Sequence, residues 1–357
     1  MSSQESSILV QDAIGLLQQL ITIPSFSKEE DGTAALLEQF LQSRQVPVKR
    51  HLNNVWARNK HFDPAKPSVL LNSHHDTVKP NKAYTLDPFQ PLVKKGKLFG
   101  LGSNDAGGSL VSLIAVFLHY YERADLNYNI VLAATAEEEI SGRNGIEILV
   151  PELPPIAFGI VGEPTQMEMA VAERGLLVLD VIAAGKAGHA AREEGDNALY
   201  KALPDIEWFR RYRFDKTSPL LGPVKMTVTV IETENKAHNV VPSSCHFVVD
   251  VRVNECYTFE EVLSIIKTNV RSDIQPRSLR MRSTSIGLDH PLVQAGTRLG
   301  RTYYGSPTTS DKALMPFTTL KMGPGDSARS HTADEFIYLS EIEEGIALYT
   351  RLLDQVL

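Results

Sequence analysis

A chain of 357 residues is long for one ordinary domain and points to two. Its 43% apolar and 22% charged residues match a globular average and exclude disorder, collagen and coiled coil as global descriptions. With 36 basic against 43 acidic residues, the net charge of −7 disfavours a chain that wraps nucleic acid or lies on an anionic membrane. The two cysteines, Cys245 and Cys256, support neither a disulfide framework nor a thiolate zinc site, which favours a reducing compartment.

In chain order, Leu9, Ala13, Leu16, Leu17 and Leu20 recur at helical spacing over residues 8–21, and Ala34, Leu37, Phe40 and Leu41 do so over 33–45. Residues 68–72 form a short apolar run after Pro67, read as a buried strand. Residues 110–121 make a helix with almost no polar face, which predicts deep burial. Three more buried strands are expected at 128–135, 157–161 and 318–322. Continuous apolar strands alternating with helices predict an α/β layer with a mainly parallel sheet. The middle of the chain differs, with strand-like 175–184, helix-like 197–212, alternating strands at 224–232 and 245–253, a helix at 259–270 and a strand-like 278–285. That order predicts an inserted α+β domain at 173–286 interrupting a catalytic domain of 1–172 and 287–357. No basic residue occurs in the first ten and no apolar stretch exceeds residues 110–118, so a secretory signal and a membrane span are not expected. The expectation is a soluble, cytoplasmic protein with no nucleic-acid or membrane partner.

The chemistry gathers where the parallel strands end. After residues 69–71 come His74, His75 and Asp76; after 130–132 come Glu137, Glu138 and Glu139; after 158–161 comes Glu163; after 320–322 comes a loop ending in His331. Open α/β sheets bind ligands beyond the carboxyl ends of their strands. Imidazole and carboxylate without thiolate is a mixture that zinc accepts. Asp105, just before the buried helix, is either a helix cap or a carboxylate able to face two cations at once. Each piece alone has an ordinary explanation as a surface His, a turn residue or a solvated Glu run. Their coincidence at strand ends is the argument, since carboxylates packed at one sheet end repel without a cation. Rival motifs fail: Asp105 breaks the dinucleotide glycine pattern begun by Gly100 and Gly102, and Arg329 occupies the last position of a serine-nucleophile elbow.

Read together, these residues carry a resemblance. Residues 73–78 (Ser-His-His-Asp-Thr-Val), 98–108 (Leu-Phe-Gly-Leu-Gly-Ser-Asn-Asp-Ala-Gly-Gly), 135–139 (Thr-Ala-Glu-Glu-Glu), 161–165 (Val-Gly-Glu-Pro-Thr), 185–189 (Gly-Lys-Ala-Gly-His), 239–242 (Asn-Val-Val-Pro) and 323–325 (Gly-Pro-Gly) followed by 330–335 (Ser-His-Thr-Ala-Asp-Glu) occur in one order. The chain thereby resembles, nearly end to end, the dizinc amidohydrolases that include acetylornithine deacetylase, succinyl-diaminopimelate desuccinylase, aminoacylase and carboxypeptidase G2. The resemblance implies a mainly parallel-sheet zinc-hydrolase domain with an inserted ferredoxin-like lid and dimerisation domain. It implies two Zn²⁺, one held by His74, Asp105 and Glu163 and the other by Asp105, Glu139 and His331; cobalt or manganese would suit the same ligands. Asp76 would orient His74, Glu138 would be the general base, and His189 would reach the partner subunit's site in a homodimer to polarise the scissile carbonyl, with Asn239 nearby.

The sequence departs from the family pattern at Ala106 and Gly107, where Met-Lys is usual, and at Ile140, where Gly often follows the Glu pair. Leu101 replaces an Arg of the desuccinylase branch and tilts the expectation towards acetylornithine deacetylases. The expected substrate is therefore an N-acyl amino acid, foremost N2-acetylornithine of arginine biosynthesis. N-acetylcitrulline, N-succinylornithine and succinyl-diaminopimelate are alternatives, as is a di- or aminopeptidase substrate, and a silent binding protein is the rival from another class. Its α-carboxylate needs a cation, for which Arg174, Arg192, Arg252 and Arg329 are candidates.

Overall fold

The computed structural model of the chain describes residues 3–357. It divides into two compact units, Met1–Val171 with Ile286–Tyr304 and Ser310–Leu357, and Ala172–Ser285 with Gly305–Thr309. The short segment Gly305–Thr309 groups with the second unit, although the sequence gives no compositional break around it.

In the first unit four strands run parallel and adjacent, in the order Asn129–Thr135, Ser68–His74, Ile156–Val161, Thr319–Lys321. The hairpin Val48–His51/Asn54–Arg58 extends one side antiparallel, and Met169–Glu173 joins the other side antiparallel. The sheet is mixed and mainly parallel, as expected for strands that are apolar on both faces. Every residue of Ser68–His74 and Asn129–Thr135 is buried.

The helix Gly108–Tyr120 lies against these two strands and between the helices Ser3–Ile21 and Leu339–Leu353. Burial of residues 108–117 and of Tyr120 explains its missing polar face. Each fully buried Leu or Phe there contributes roughly 1.5–3 kcal/mol of transfer free energy. Its flanking helix buries Ala13, Leu16, Leu17, Leu20 and Ile21, one stripe at helical spacing. On the opposite face of the sheet, Leu70, Val131, Ala133 and Val161 pack with Trp56, Ile146 and Leu149. Among the described residues no helix is long and apolar enough to cross a membrane.

The second unit has the order strand, helix, strand, strand, helix, strand: Gly175–Ala184, Ala198–Arg211, Lys225–Thr233, Ser244–Val253, Phe259–Asn269, Asp273–Pro276. Its antiparallel sheet runs Lys225–Thr233, Ser244–Val253, Gly175–Ala184, Asp273–Pro276, which is the ferredoxin-like arrangement. Leu177, Leu179, Val181, Phe247, Val249 and Val251 form its core with Phe209, Phe259 and Ile266 of the helices. The helices start where their caps predict: Asn197 accepts from Leu199 N at 2.9 Å, and Thr258 and Glu261 form a reciprocal capping box.

One expected strand is corrected. Within residues 278–285 only Thr284–Ser285 is extended and paired, and the fourth strand of the sheet is Asp273–Pro276. The apolar members of the later stretch are sparse and separated by Arg280 and Arg282, whereas Ile274 is buried and pairs with Val181.

Candidate functional site

The parallel register sets the site. His74 pairs with Thr135, Asn72 with Val161 and Lys321 with Val161, so four strands end side by side. The residues that follow those ends must share one rim, which brings together His74 and Asp76, Glu137 to Glu139, Glu163 and the loop to His331.

Asp105 enters from a different element. It lies in the turn Ser103–Gly107, with extended φ/ψ of −117° and 101°, before the buried helix. Gly102 opens that turn at φ +74°, and a Cβ there would stand 2.6 Å from Thr77 Cγ2, so the position requires glycine. The Asp105–Ala106 peptide is cis.

The two oxygens of Asp105 face different histidines. Oδ1 lies 3.3 Å from His74 Nε2 and Oδ2 lies 3.6 Å from His331 Nε2. Glu163 Oε1 is 3.9 Å from His74 Nε2, and Glu139 Oε2 is 2.9 Å from His331 Nε2. Ligand-capable atoms of His74, Asp105 and Glu139 fall within 4.8 Å of one another, as do those of His74, Glu138 and Glu163. Glu138 therefore faces the same space as the residues expected to hold the cations. His74 Nδ1 is 3.0 Å from the Asp76 carbonyl oxygen. A carbonyl only accepts, so Nδ1 carries a proton, and Nε2 is the ring nitrogen turned towards the carboxylates.

Asp76 has a second task that the sequence did not reveal. Its Oδ1 accepts Glu138 N at 3.0 Å, and its Oδ2 accepts Glu139 N at 3.1 Å and Ser27 Oγ at 2.7 Å. Behind it the buried Glu30 accepts Glu137 N at 3.2 Å, Lys28 N at 2.6 Å and Asn53 Nδ2 at 2.8 Å. Three successive backbone N–H groups of the acidic turn thus each meet a carboxylate oxygen. Glu137 takes a left-handed φ of 56°, and its side chain turns back to accept from Asn144 N and Nδ2. Only the second and third of the three glutamates contribute to the site.

Burial and like charge set the electrostatics. Burial pushes the Glu138 carboxyl well above the usual carboxylate range; nearby His74 opposes this, while Glu163, Asp311 and Glu139 add to it. The Glu139 carboxyl is also raised, first by burial and against the hydrogen bond from His331. The Glu139 hydrogen bond lifts His331 to about 9. Burial pulls His74 down, but hydrogen bonds to Asp105 and Asp76 and the charges of Glu138 and Glu163 outweigh it, and His74 ends well above its ordinary value. Burial raises Asp105, but His74 more than offsets it and leaves Asp105 lowered. A crowd of buried carboxylates around two imidazoles is what divalent cations neutralise. The donor set, nitrogen and oxygen without thiolate, fits Zn²⁺, Co²⁺ or Mn²⁺.

Several contributors were not singled out from sequence. Glu335, 2% exposed, accepts Gly102 N, Asn104 N and Asp105 N. Asp311 accepts Thr135 Oγ1 at 2.7 Å in the buried layer beside Glu138. Glu335 lies in the motif that carries His331, four residues on, and that spacing was the available signal. Asp311 follows a polar stretch and gives none.

The expected substrate-binding residues mostly have partners already. Arg329 is bidentate with Glu341 and also donates to the Phe336 carbonyl. In the second unit, Arg252 is bidentate with Asp250 at 2.8 and 3.0 Å, and Arg174 donates to the Leu221 carbonyl. Arg192 is exposed and 3.8 Å from Glu194. His189 and Asn239 are exposed neighbours on the small ribbon where His189 pairs with Val240, and Ala190 N donates to the Asn239 carbonyl at 2.9 Å.

The chain is 24% identical over 375 residues to succinyl-diaminopimelate desuccinylase of Acidiphilium cryptum (strain JF-5), covering 97% of this chain and 98% of that one. Aminopeptidase PepT from Bacillus cereus ATCC 10987 shares the fold with a TM-score of 0.80 at 17% identity, over 97% of this chain and 98% of that one. So does the Bacillus subtilis YXEP protein, a dinuclear metal-binding peptidase, with a TM-score of 0.69 at 14% identity over 98% and 100% of the two chains. Residues 70–355 match Peptidase family M20/M25/M40, and the chain belongs to that family as a metal-dependent amidohydrolase.

Proposed function

We propose that the chain hydrolyses the amide bond of an N-acyl amino acid at a pair of divalent cations, with zinc as the native metal. The observation that carries this is Asp105, whose two carboxylate oxygens face His74 and His331 separately. That is the placement a shared ligand needs. One cation would be held by His74, Asp105 and Glu163, the other by Asp105, Glu139 and His331. Two such ions supply Lewis acidity, which polarises an acyl carbonyl and lowers the pKa of water towards neutrality.

The chain's own groups do the rest. Glu138 takes a proton from the attacking water at its carboxylate and delivers it to the leaving amine nitrogen. Asp76 holds the turn that aims Glu138 and Glu139. His189 would stabilise negative charge on the acyl oxygen, with Asn239 beside it.

The substrate reading has two arms. N2-acetylornithine follows from Leu101, which lacks the cation of the desuccinylase branch. Succinyl-diaminopimelate follows from the name carried by the Acidiphilium relative. We favour N2-acetylornithine, because Arg252, Arg174 and Arg329 are each engaged, which leaves the exposed Arg192 of the four candidates for one α-carboxylate and none for the further acid group of a succinyl substrate. Assay of equal concentrations of N2-acetylornithine, N-acetylcitrulline, N-succinylornithine, succinyl-diaminopimelate and a dipeptide panel should give N2-acetylornithine the highest kcat/KM by at least about tenfold, the effect of about 1.4 kcal/mol in the transition state. A higher value for a succinylated compound would reject the acetyl assignment, and a dipeptide preference would move the activity to peptidase.

The proposal includes a homodimer through the inserted unit. Its sheet ends on the strand Lys225–Thr233, which exposes Val230 and Ile231 and can pair with a second copy. Mixing inactive His189→Ala and Glu138→Gln proteins should restore part of the turnover, because one composite site then keeps both groups. No recovery from an exchanged mixture would show that His189 does not act across subunits.

A further inference from the structure

The motif containing His331 ends in a buried acid for which neither hydrolysis nor cation binding has so far required a role. Glu335 is 2% exposed and its carboxylate lies inside the turn that carries Asp105. Oε1 accepts Asn104 N at 2.8 Å and Asp105 N at 3.0 Å, and Oε2 accepts Gly102 N at 3.2 Å. Its backbone joins the same turn, with Gly100 N donating to the Glu335 carbonyl at 3.0 Å. A second tie lies on the other side of His331, where Asn104 Nδ2 donates to the Asp326 carbonyl at 3.0 Å and Asp326 N donates to Asn104 Oδ1 at 3.0 Å. The segment 326–335 therefore grips the Asp105 turn at both ends, and His331 lies between the grips.

We propose that Glu335 is a positioning residue that fixes Asp105 as the carboxylate shared by the two cations. The turn has no helical hydrogen bonding of its own at Asp105, whose φ/ψ are extended. Without an acceptor on Gly102 N, Asn104 N and Asp105 N the turn keeps the Asn104–Asp326 pair and the bond from Gly107 N to Gly102 O, neither of which is made by the Asp105 peptide that sends Oδ1 to His74 and Oδ2 to His331. A glutamate side chain suits the task because its two oxygens together accept from three N–H donors. The two cation positions differ in what else supports them. His74 is 1% exposed on a strand end, whereas the His331 side chain is 54% exposed on a loop. Loosening the Asp105 turn should cost the His331 position most.

This inference rests on the dinuclear reading given above, and cobalt separates the two. Chelator-stripped protein is titrated with Co²⁺, followed by visible absorption and by electron paramagnetic resonance, which reads coupling between two bridged ions. Glu335→Gln keeps the size but sets an amide donor against one N–H donor. It should bind the first cobalt within about threefold of wild type, bind the second at least tenfold more weakly, and lose the coupling signal. Glu335→Asp keeps the charge but is one methylene shorter, cannot reach all three N–H groups, and should show the same loss; it carries the test if the Gln variant does not fold. Two cobalts bound and coupled as in wild type, in either folded variant, would overturn the role of Glu335, even if the melting temperature falls. A wild-type protein that takes only one cobalt would overturn the dinuclear reading itself, and the bridge with it.

Discussion

Glu138→Gln is expected to lower turnover by at least about 10²-fold, the lower end of what a positioned general base contributes, while leaving two metal ions bound per chain. The substitution is nearly isosteric and removes the charge together with the ability to accept a proton. The backbone at this position does not depend on the side chain, because Glu138 N is held by Asp76 Oδ1 and Glu139 N by Asp76 Oδ2. The turn should therefore stay in place and keep Glu139 aimed at His331. Glu138 is also crowded by Glu163, Asp311 and Glu139, so replacing it with a neutral group relieves repulsion and should not lower thermal stability. Metal analysis by mass spectrometry and a steady-state assay of the same preparation decide the matter. Wild-type turnover would remove Glu138 from the mechanism. Loss of one ion together with activity would make Glu138 a ligand, a role its closeness to His74 and Glu163 permits geometrically.

How much of this was legible in the sequence follows from which forces wrote it there. Strands 68–74 and 129–135 are buried along their whole length and 156–161 from Phe158 on, so each carries an apolar run, and the parallel order of the sheet makes the residues after each run neighbours. The hairpin Val48–His51/Asn54–Arg58 did not show, because its first strand is half-exposed and polar. The C-terminal helix Leu339–Leu353 was not among the expected elements, although Ile342, Ile346, Tyr349 and Leu353 keep helical spacing and are buried. The candidate ligands stood out because imidazoles and acids after apolar strands are chemically odd. The residues that hold them did not. Glu30, Glu335 and the carboxylate of Asp76 act on backbone N–H groups, and a backbone partner leaves no trace in residue identity. Asp311 meets Thr135 across 176 positions of chain, a pairing made by the sheet alone.

Asp76→Ala should cost about 3–5 kcal/mol of stability and at least about 10² in turnover, although Asp76 neither holds a cation nor meets the substrate in the proposed mechanism. Its side chain is fully buried and accepts from Glu138 N, Glu139 N and Ser27 Oγ. Truncation leaves two buried N–H groups without acceptors, at about 1–3 kcal/mol each, and loses a hydroxyl partner as well. The bonds that remain, from Glu137 N to Glu30 and from Asn144 to the Glu137 side chain, do not hold the Glu138 and Glu139 N–H groups, so both Glu138 and Glu139 lose their aim. Asp76→Asn should fall between, since the amide oxygen keeps one N–H and the amide nitrogen opposes the other. Urea unfolding in the presence of chelator isolates the protein's own term from metal binding. The pH dependence has a definite sign. Burial raises the Asp76 carboxyl, but the contacts with His74, Ser27 and Glu138 N outweigh it and leave the folded pKa below the ordinary 3.8. Stability from such a group is present above the ordinary carboxylate value and is lost as pH falls through the folded one. The gap between wild type and Asp76→Ala should therefore be full at neutral pH and narrow in acid. A variant as stable and active as wild type at pH 7 would show that the acidic turn is held by something other than the Asp76 carboxylate.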